Sequence, residues 1–474
     1  HSCAEVLPVV RLAAPAIANN ALAMLLQLVD AAYVGRLGSL ELAAAALGNA
    51  YFSMIWYFIL GVSTALDTLA SQAHGAGDSR SVRQWGRTAG IVLLAMCLPA
   101  GLLLYMAEWV VVNLFRQSGA ETAQLTGQFC IGLIPGLPAL ALLTGLQKFQ
   151  QAQSRMLPSV YVGVVANVLN VCANYTFIWT FGWGFIGSPL ATSCVRFVSL
   201  LMLSAVEIAS MYDSRKSHRA EARLHLRLPD APRTFGDQIG TFLRLGLPGG
   251  FMLGIEAWSF EMQTILAGRL GRTALDANTV MLSIASFTFI SFPFGIAAAA
   301  SIRVGNLLGA QQPGRARAAA HTCLVIGVAF MAVCGLVIFV SRASLTSIFI
   351  HDAAISDAVV RLAPSIALFQ VLDGYQGVAG GILRGLGRQP LIAAVNLVAF
   401  WLIGIPVGSV LAFGSQLGVV ALWWGLSLGL LVGSLTFAWV ISRIDWQGEA
   451  QIALLRAAIE PDASALERSL PLLG

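Results

Sequence analysis

Residues Leu247–Gly271 read LPGGFMLGIEAWSFEMQTILAGRLG, and the same pattern occurs once more, 233 positions earlier. The segment Pro15–Gly38, PAIANNALAMLLQLVDAAYVGRLG, aligns with Pro248–Gly271 without a gap, so that proline meets proline and GRLG meets GRLG. The next stretch, LGVSTALDTLASQAHGAGD, aligns with FGIAAAASIRVGNLLGAQQ at an offset of 234. Similarity at two successive places along the chain indicates that the protein is built from two repeated halves.

The composition indicates where these halves reside. Only 11% of the 474 residues are charged and 57% are hydrophobic, whereas about 25% of an ordinary soluble domain is charged. So few charges over this length are typical of an integral membrane protein. The net charge of +5 is small and the basic residues are dispersed, which argues against a nucleic-acid partner.

Twelve apolar runs are long enough to cross a bilayer, each near the ~20 residues that a spanning helix needs. They lie at 12–34, 44–70, 89–115, 125–147, 157–181, 186–210, 245–268, 277–302, 319–341, 362–383, 391–413 and 417–441. The sequence therefore predicts an all-α membrane protein with twelve transmembrane helices.

The repeat divides these helices into two lobes of six. Because each repeat has an even number of spans, both enter the membrane from the same side, and a pseudo-twofold axis along the membrane normal relates them. We expect an N-terminal lobe at 1–210, a cytoplasmic loop at 211–236, a C-terminal lobe at 237–442 and a cytoplasmic tail at 443–474. Substrate sites in such proteins lie near the midplane, between or within the lobes.

Basic residues in the loops predict the orientation. The loops after the even-numbered spans carry 16 Lys and Arg residues, counting Lys148, Arg303 and Arg384 among them, and the alternate loops carry 6. Since cytoplasmic loops are enriched in Lys and Arg, both termini are expected in the cytoplasm. We expect the plasma membrane or a vacuolar-type membrane as the location.

Three acidic residues lie deep inside the predicted spans of the second half. Glu256 is 12 residues from Arg244 and 13 from Arg269, so at ~1.5 Å per residue it lies about 18 Å from each. Asp373 is equally deep in the tenth span. Glu261 follows Glu256 by five residues and points about 140° away around the helix, so the two glutamates share no cavity unless the helix bends. An acid at a helix centre costs about 3 kcal/mol, and intramembrane acids are functional by default.

These acids suggest a chemistry. A carboxyl group in a dry environment stays protonated, whereas contact with water or an approaching cation lets it ionise. Alternating between the two conditions would exchange a proton for a cation. The alternative is that the acids hydrogen-bond neighbouring helices and serve only the packing. The absence of basic residues inside those spans argues against a buried ion pair.

The first half carries a different polar set. Asp30 occupies the position of Gln263 in the repeat and lies near the outer end of its span, so it is either a functional or an interfacial acid. Asn167, Asn170 and Asn174 are spaced 3 and 4 apart and form one stripe, which either lines a cavity or hydrogen-bonds the first span.

Several neighbours of these groups remain open to two interpretations. Arg196 either pairs with Asp30 or extends to the membrane surface, and Asp67 is expected to bond backbone or a neighbouring helix. Aromatic rings near the acids either attract organic cations or pack against lipid and core. The candidate coupling and binding residues are Glu256, Glu261, Asp373 and Asp30, and the candidate cavity-lining residues are Trp258, Tyr375, Asn167, Asn170, Asn174 and Gln263.

Motifs of enzymes and pumps are absent from the sequence. It contains no G-x-x-x-x-G-K-[ST] segment, no H-E-x-x-H and no paired C-x-x-C, and its seven cysteines are odd in number and mostly within apolar runs. We expect no enzymatic activity, no metal and no cofactor. Energy for active transport would then come from an ion gradient.

Four segments resemble the multidrug and toxin extrusion (MATE) family, over roughly residues 10–440. ALDTLASQAHGAGD resembles the family's segment after span 2, and FQQAQSRMLPSV, GGILRGLGRQ and MLGIEAWSFE resemble its eukaryotic branch. The resemblance implies two lobes in a V-shaped alternation and export of organic cations against protons or sodium. It assigns proton coupling to Glu256 and Glu261, with Asp373 at the acidic position of span 10. Asp30 resembles an aspartate of prokaryotic members, which leaves the coupling lobe open.

The first functional hypothesis is thus a proton-coupled exporter of drugs, xenobiotics and other organic cations. The alternatives are an exporter of specialised metabolites such as flavonoids or organic acids, or a sodium-coupled relative. A lipid-linked oligosaccharide flippase is disfavoured because it needs a strongly basic cavity, whereas the midplane charges here are acidic. We expect small cationic organic substrates and membrane lipid as partners, and a monomer.

Overall fold

The computed structural model describes residues 2–115, 119–221, 234–344, 352–415 and 417–457, and every regular element in these ranges is helical. The helices of the first half are α1 Ser2–Gly35, α2 Ser39–Ser63, α3 Ala65–Gly75, α4 Ser79–Tyr105, α5 Ala107–Val110, α6 Ala120–Leu133, α7 Leu137–Ala152, α8 Leu157–Tyr175 and α9 Gly187–Glu221. Short helical turns follow α5 at Val111–Phe115 and α8 at Thr176–Thr180, and another at Gly184–Ile186 precedes α9.

The second half continues the helical arrangement. Its helices are α10 Phe235–Arg269, α11 Arg272–Ser291, α12 Pro293–Gly309, α13 Pro313–Val340, α14 Ala353–Gly385, α15 Gln389–Asn396, α16 Ile405–Gly414, α17 Val419–Ser442 and α18 Trp446–Ala457. A π-helical stretch, Leu397–Gly404, joins α15 to α16.

These helices form twelve membrane crossings, as the sequence predicts. Within the described ranges, ten helices are long and apolar enough to span a bilayer, and α6 with α7 makes an eleventh span with a bend of 54°. The remaining crossing is α10, which has 35 residues but is less apolar because it carries Glu256 and Glu261. Each of the twelve predicted apolar runs falls on one of these crossings.

The N-terminal ends of α1 and α10 cross over to pack with the opposite half. Val9 of α1 is buried in a hydrophobic cluster formed mainly by the second half, including Ile302 and Leu383. Phe242, the equivalent of Val9 at the offset of 233, is buried in a cluster of the first half that includes Leu66. The exchange is reciprocal, as expected for halves related by a pseudo-twofold axis.

Helices α3 and α12 meet at the same end of the molecule with their backbones in contact. A Cβ atom added to Gly75 would lie 2.0 Å from the carbonyl oxygen of Asn306, and one added to Gly309 would lie 2.0 Å from that of Gln72. Gly75 and Gln72 correspond to Gly309 and Asn306 at the offset of 234. Small residues permit this approach between membrane helices. The glycine contacts therefore close this end of the molecule.

The predicted boundaries between lobes, loop and tail stay a prediction. Residues 222–233 of the predicted loop 211–236 and residues 458–474 of the predicted tail 443–474 lie outside the described residues. Within the described part of the tail, α18 is a helix that the apolar pattern does not predict. Arg456 of α18 donates to the carbonyl oxygen of Leu386, the residue after α14, at 2.8 Å, and α18 packs against α3, α12 and α13.

Candidate functional site

A central cavity of about 630 Å³ lies between the two halves, bordered by α1, α2, α8, α9, α10, α11 and α14 among other helices. Its volume is in the range that holds a drug-sized molecule. The charged side chains that line it, within the described part of the chain, are Asp30, Arg196, Glu256, Glu261, Asp373 and Arg384. The cavity thus gathers four acids and two guanidinium groups at the depth of the membrane.

The cavity acids of the second half have no bonded partner among the described residues. Glu256, Glu261 and Asp373 line the cavity, and no residue that the structure describes forms a hydrogen bond or ion pair with their carboxylates. Asp373 on α14 lies within electrostatic range of Glu256 on α10. A carboxyl group that faces a cavity without a donor beside it is free to take a proton or a cation.

The expectation that Glu256 and Glu261 share no cavity unless the helix bends is wrong. Both line the cavity, as do Met252, Ala257 and Phe260 of the same helix. At 100° per residue these positions cover about half of the circumference of α10. The cavity therefore borders a wide arc of the helix, and Glu261 lies at the edge of that arc.

Asp30 of the first half is held by three hydrogen bonds. Asn170 and Asn174 donate their side-chain amides to Oδ1 at 2.7 and 2.8 Å, and the Thr192 hydroxyl donates to Oδ2 at 2.9 Å. Asp30 is only 8% exposed. The carboxylate is thus buried and bound by α8 and α9, which distinguishes it from the unpartnered acids of the second half.

The asparagine stripe on α8 serves both purposes that the sequence left open. Asn170 and Asn174 bond the first span through Asp30, whereas Asn167 lines the cavity and donates to the Leu22 carbonyl oxygen at 3.0 Å. The three asparagines of the stripe pack α8 onto α1. Asn170 and Asn174 do not line the cavity, so the prediction that they are lining residues is wrong.

Three further residues expected to line the cavity lie elsewhere. The indole of Trp258 donates to the Met54 carbonyl oxygen at 3.0 Å and packs α10 on α2. Gln263 is buried and donates to Asn278 at 3.3 Å. Tyr375 packs on the hydrophobic cluster between α12 and α14. Each lies on a helix face that turns toward a neighbouring helix, so proximity to an acid in sequence misled the prediction.

Many of the basic residues assigned to loops are instead inside helices, and three of them make contacts that bear on the cavity or its closed end. Lys148 on α7 contacts both carboxylate oxygens of Asp67 at 3.0 Å, which supplies the neighbouring-helix partner expected for Asp67. Arg303 on α12 pairs with Glu5. Arg384 is 4% exposed at the end of α14 and lines the cavity. A position near the end of an apolar run was the only signal for these residues, and it does not separate a loop from a buried helix end.

Polar contacts join the two halves beneath Arg384. The Thr68 hydroxyl on α3 donates to the Arg384 carbonyl oxygen at 2.5 Å, and the Gln72 amide donates to that of Gly385 at 2.9 Å. Gln389 donates to the Thr68 hydroxyl at 2.8 Å. Together with the glycine contacts of α3 and α12, these bonds seal the cavity from this end of the molecule.

Comparison with known proteins places this arrangement among transporters. The MatE family model matches twice, at residues 15–176 and 248–410, and so coincides with the two halves. Protein DETOXIFICATION 12 of Arabidopsis thaliana is 32% identical over 449 residues, which cover 94% of this chain and 91% of that protein. Multidrug and toxin extrusion protein 1 of Danio rerio is 31% identical over 458 residues, covering 96% of this chain and 75% of that protein.

Solved structures share the fold. The crystal structure of the eukaryotic MATE transporter AtDTX14 superposes with a TM-score of 0.86 at 29% identity, and the match covers 96% of this chain and 99% of that one. The Vibrio cholerae MATE transporter VcmN in the bent form has a TM-score of 0.79 at 18% identity, covering 96% and 99%. The second match concerns the fold alone.

Proposed function

Because the chain belongs to the multidrug and toxin extrusion family of membrane transporters, of the eukaryotic type, we propose that it exports organic cations in exchange for protons. The two lobes would expose the central cavity to each side of the membrane in turn. Each cycle would carry a solute outward and a proton inward. The family is one of transporters and not of enzymes.

The observation that carries this proposal is the unpartnered state of three cavity acids. Glu256, Glu261 and Asp373 have no donor or cation of the described protein against their carboxylates. A proton and an organic cation would therefore compete for the same groups. Such competition is what couples two opposite flows, since the carrier moves with one occupant or the other.

We assign the coupling to the second half. Asp30 already accepts three hydrogen bonds from Asn170, Asn174 and Thr192. Protonation of Asp30 would remove the charge that these three donors stabilise, whereas Glu256 and Asp373 exchange a proton without losing a protein partner. Proton coupling through Glu256 and Asp373 is the simpler route.

The orientation belongs to the same proposal. The excess of basic residues in the even-numbered loops supports cytoplasmic termini. The end closed by Gly75 and Gly309 would then face the cytoplasm. We further propose a monomer surrounded by lipid in the plasma membrane or in a vacuolar-type membrane, where a proton gradient is available.

The experiment is transport by the purified chain in proteoliposomes under an imposed pH gradient. A panel of fluorescent organic cations should accumulate on the acidic side, with about tenfold accumulation per pH unit for electroneutral one-for-one exchange. A sodium gradient at equal pH should drive no accumulation. Accumulation driven by the sodium gradient alone would show that sodium is the coupling ion instead of the proton. Movement of organic anions alone would favour an exporter of specialised metabolites.

A further inference from the structure

Arg196 is a charged residue of the cavity, and no acidic side chain in the described part of the chain forms an ion pair with it. It lies on α9, whose residues Thr192, Val195, Arg196 and Ser199 line the cavity at helical spacing. Its Nη1 atom is buried and has no hydrogen-bond partner among the residues that the structure describes. Leaving guanidinium donors without acceptors at membrane depth is unfavourable, so the arrangement requires an explanation.

Asp30 is the acid within electrostatic range of Arg196, and it already accepts three hydrogen bonds from other side chains. It lies within electrostatic range of Arg196 but forms no ion pair with it. Its two oxygens accept from Asn170, Asn174 and Thr192. Asp30 therefore compensates the charge of Arg196 at long range but forms no hydrogen bond or ion pair with it.

The contact that Arg196 does make leaves its donors free. Its guanidinium carbon lies 5.0 Å from the centroid of the Phe52 ring, and Phe52 also lines the cavity. A ring face attracts the charge of the guanidinium, but the N–H groups point outward in the guanidinium plane and remain available. Phe52 thus covers one face of the Arg196 guanidinium, whose buried Nη1 donor has no acceptor among the described residues.

Arg384, the second guanidinium of the cavity, also has a buried donor without a partner among the described residues, its Nε atom, but it differs in its electrostatic surroundings. Two acids, Asp67 and Glu256, lie within its electrostatic range, and it is at the floor of the cavity beside the contacts between the halves. Among the described residues, the one acid within electrostatic range of Arg196 is Asp30, which already accepts three hydrogen bonds. Arg196 is therefore the cationic group that is best placed to receive an anion from outside the protein.

We propose that Arg196 is an anion-binding subsite of the transport cavity and takes the carboxylate of an amphoteric organic solute. The ammonium or other cationic group of that solute would face Glu256 and Asp373 of the other lobe. Planar guanidinium and carboxylate groups form paired hydrogen bonds, which also fix the orientation of the solute. This inference rests on the proposed export function, and it identifies Arg196 as the residue that would distinguish solutes with a carboxylate from solutes without one.

The test uses two dyes that differ in one group. A rhodamine methyl ester is a monocation, whereas the corresponding rhodamine free acid has the same ring system and an added carboxylate. Binding of each dye to the detergent-purified full chain is followed by fluorescence polarisation at pH 7.5. Arg196→Gln should weaken binding of the acid by about tenfold and leave that of the ester within about twofold, because only the acid loses a charge-assisted pair.

Two variants provide matched comparisons. Arg196→Lys keeps the charge but not the planar fork, and it should restore part of the affinity for the acid. Arg272→Gln removes the same charge from an exposed site on α11, where the side chain is 95% exposed, and should change neither dye. Ester affinity and the melting temperature of each variant report whether the cavity remains folded.

Three results would overturn the subsite. Arg196→Gln could weaken binding of both dyes equally, it could change the affinity for neither dye, or the wild-type chain could fail to bind the acid. If Arg196→Gln does not fold, a ratio of acid to ester affinity that is the same in Arg196→Lys and the wild type would overturn it as well. The export proposal has a separate outcome, since it fails when a pH gradient does not move the ester in proteoliposomes, whatever Arg196 binds.

Discussion

Glu5 Oε2 lies 2.7 Å from Arg303 Nη2, so the start of the first helix is bonded to the opposite half of the molecule. The other oxygen, Oε1, lies 2.8 Å from Nε of Arg315 at the start of α13. Glu5 is 1% exposed, and the contact belongs to the end of the molecule where α3 and α12 meet. Under the proposed alternation, these ion pairs hold closed the end that must open when the cavity turns to the other side.

Replacement of Glu5 should therefore shift the balance between the two openings. Glu5→Gln removes the charge that pairs with Arg303 and Arg315, and we expect a population in which this end is open. Spin labels at the exposed positions Ser79 and Gly314, on opposite halves, would report it as a second, longer distance by double electron–electron resonance. Arg272→Gln, on an exposed pair, serves as the charge control. An unchanged distance distribution in Glu5→Gln would show that the pairs do not hold this end.

Lys148 and Asp67 form a buried pair within the first half, with side chains 11% and 1% exposed. Lys148→Met leaves the carboxylate uncompensated, which should cost about 3–5 kcal/mol. The double variant Lys148→Met with Asp67→Asn removes both charges and should recover most of that loss. The melting temperature in detergent measures both. Equal destabilisation by the single and double variants would mean that the pair contributes nothing through its charges.

The glycine contacts between α3 and α12 give a third prediction. Gly75→Ala places a Cβ atom against the carbonyl oxygen of Asn306, so the helices must separate, and overpacking of this kind costs about 1–3 kcal/mol. Gly309→Ala should act alike because its contact is the pseudo-symmetric one. Gly240→Ala on α10 meets no atom within 4 Å and is the matched control. We expect lower melting temperatures and a larger open population for the first two variants only.

Proton coupling predicts how solute affinity depends on pH. A cation binds the ionised form of Glu256 or Asp373, so affinity should rise with pH until both carboxyl groups are ionised, and each binding event should release a proton in weak buffer. Glu256→Gln with Asp373→Asn should abolish both effects, whereas Asp30→Asn should preserve them. Tracer binding from about pH 5 to 9 measures this. If the pH dependence of affinity survives in the double variant and disappears in Asp30→Asn, the proton-coupling residue lies in the first half.

The sequence alone was sufficient for the architecture. The twelve apolar runs and the repeat of Pro15–Gly38 in Pro248–Gly271 predicted twelve crossings and two related halves, because bilayer thickness sets the length of each helix and similarity along the chain needs no tertiary contact to be seen. The depth of Glu256 and Asp373 followed from their distance to flanking arginines. The family resemblance was likewise carried by contiguous segments.

Only the tertiary structure decided which of these groups meet. Asp30 is bonded by Asn170 and Thr192, Glu261 shares a cavity with Glu256, and Trp258 turns away from it. Within a helix that is apolar nearly all round, the pattern does not mark the inward face, since lipid and protein interior are equally apolar. Which face points inward depends on how neighbouring helices pack, and that packing is a relationship between residues far apart in the chain.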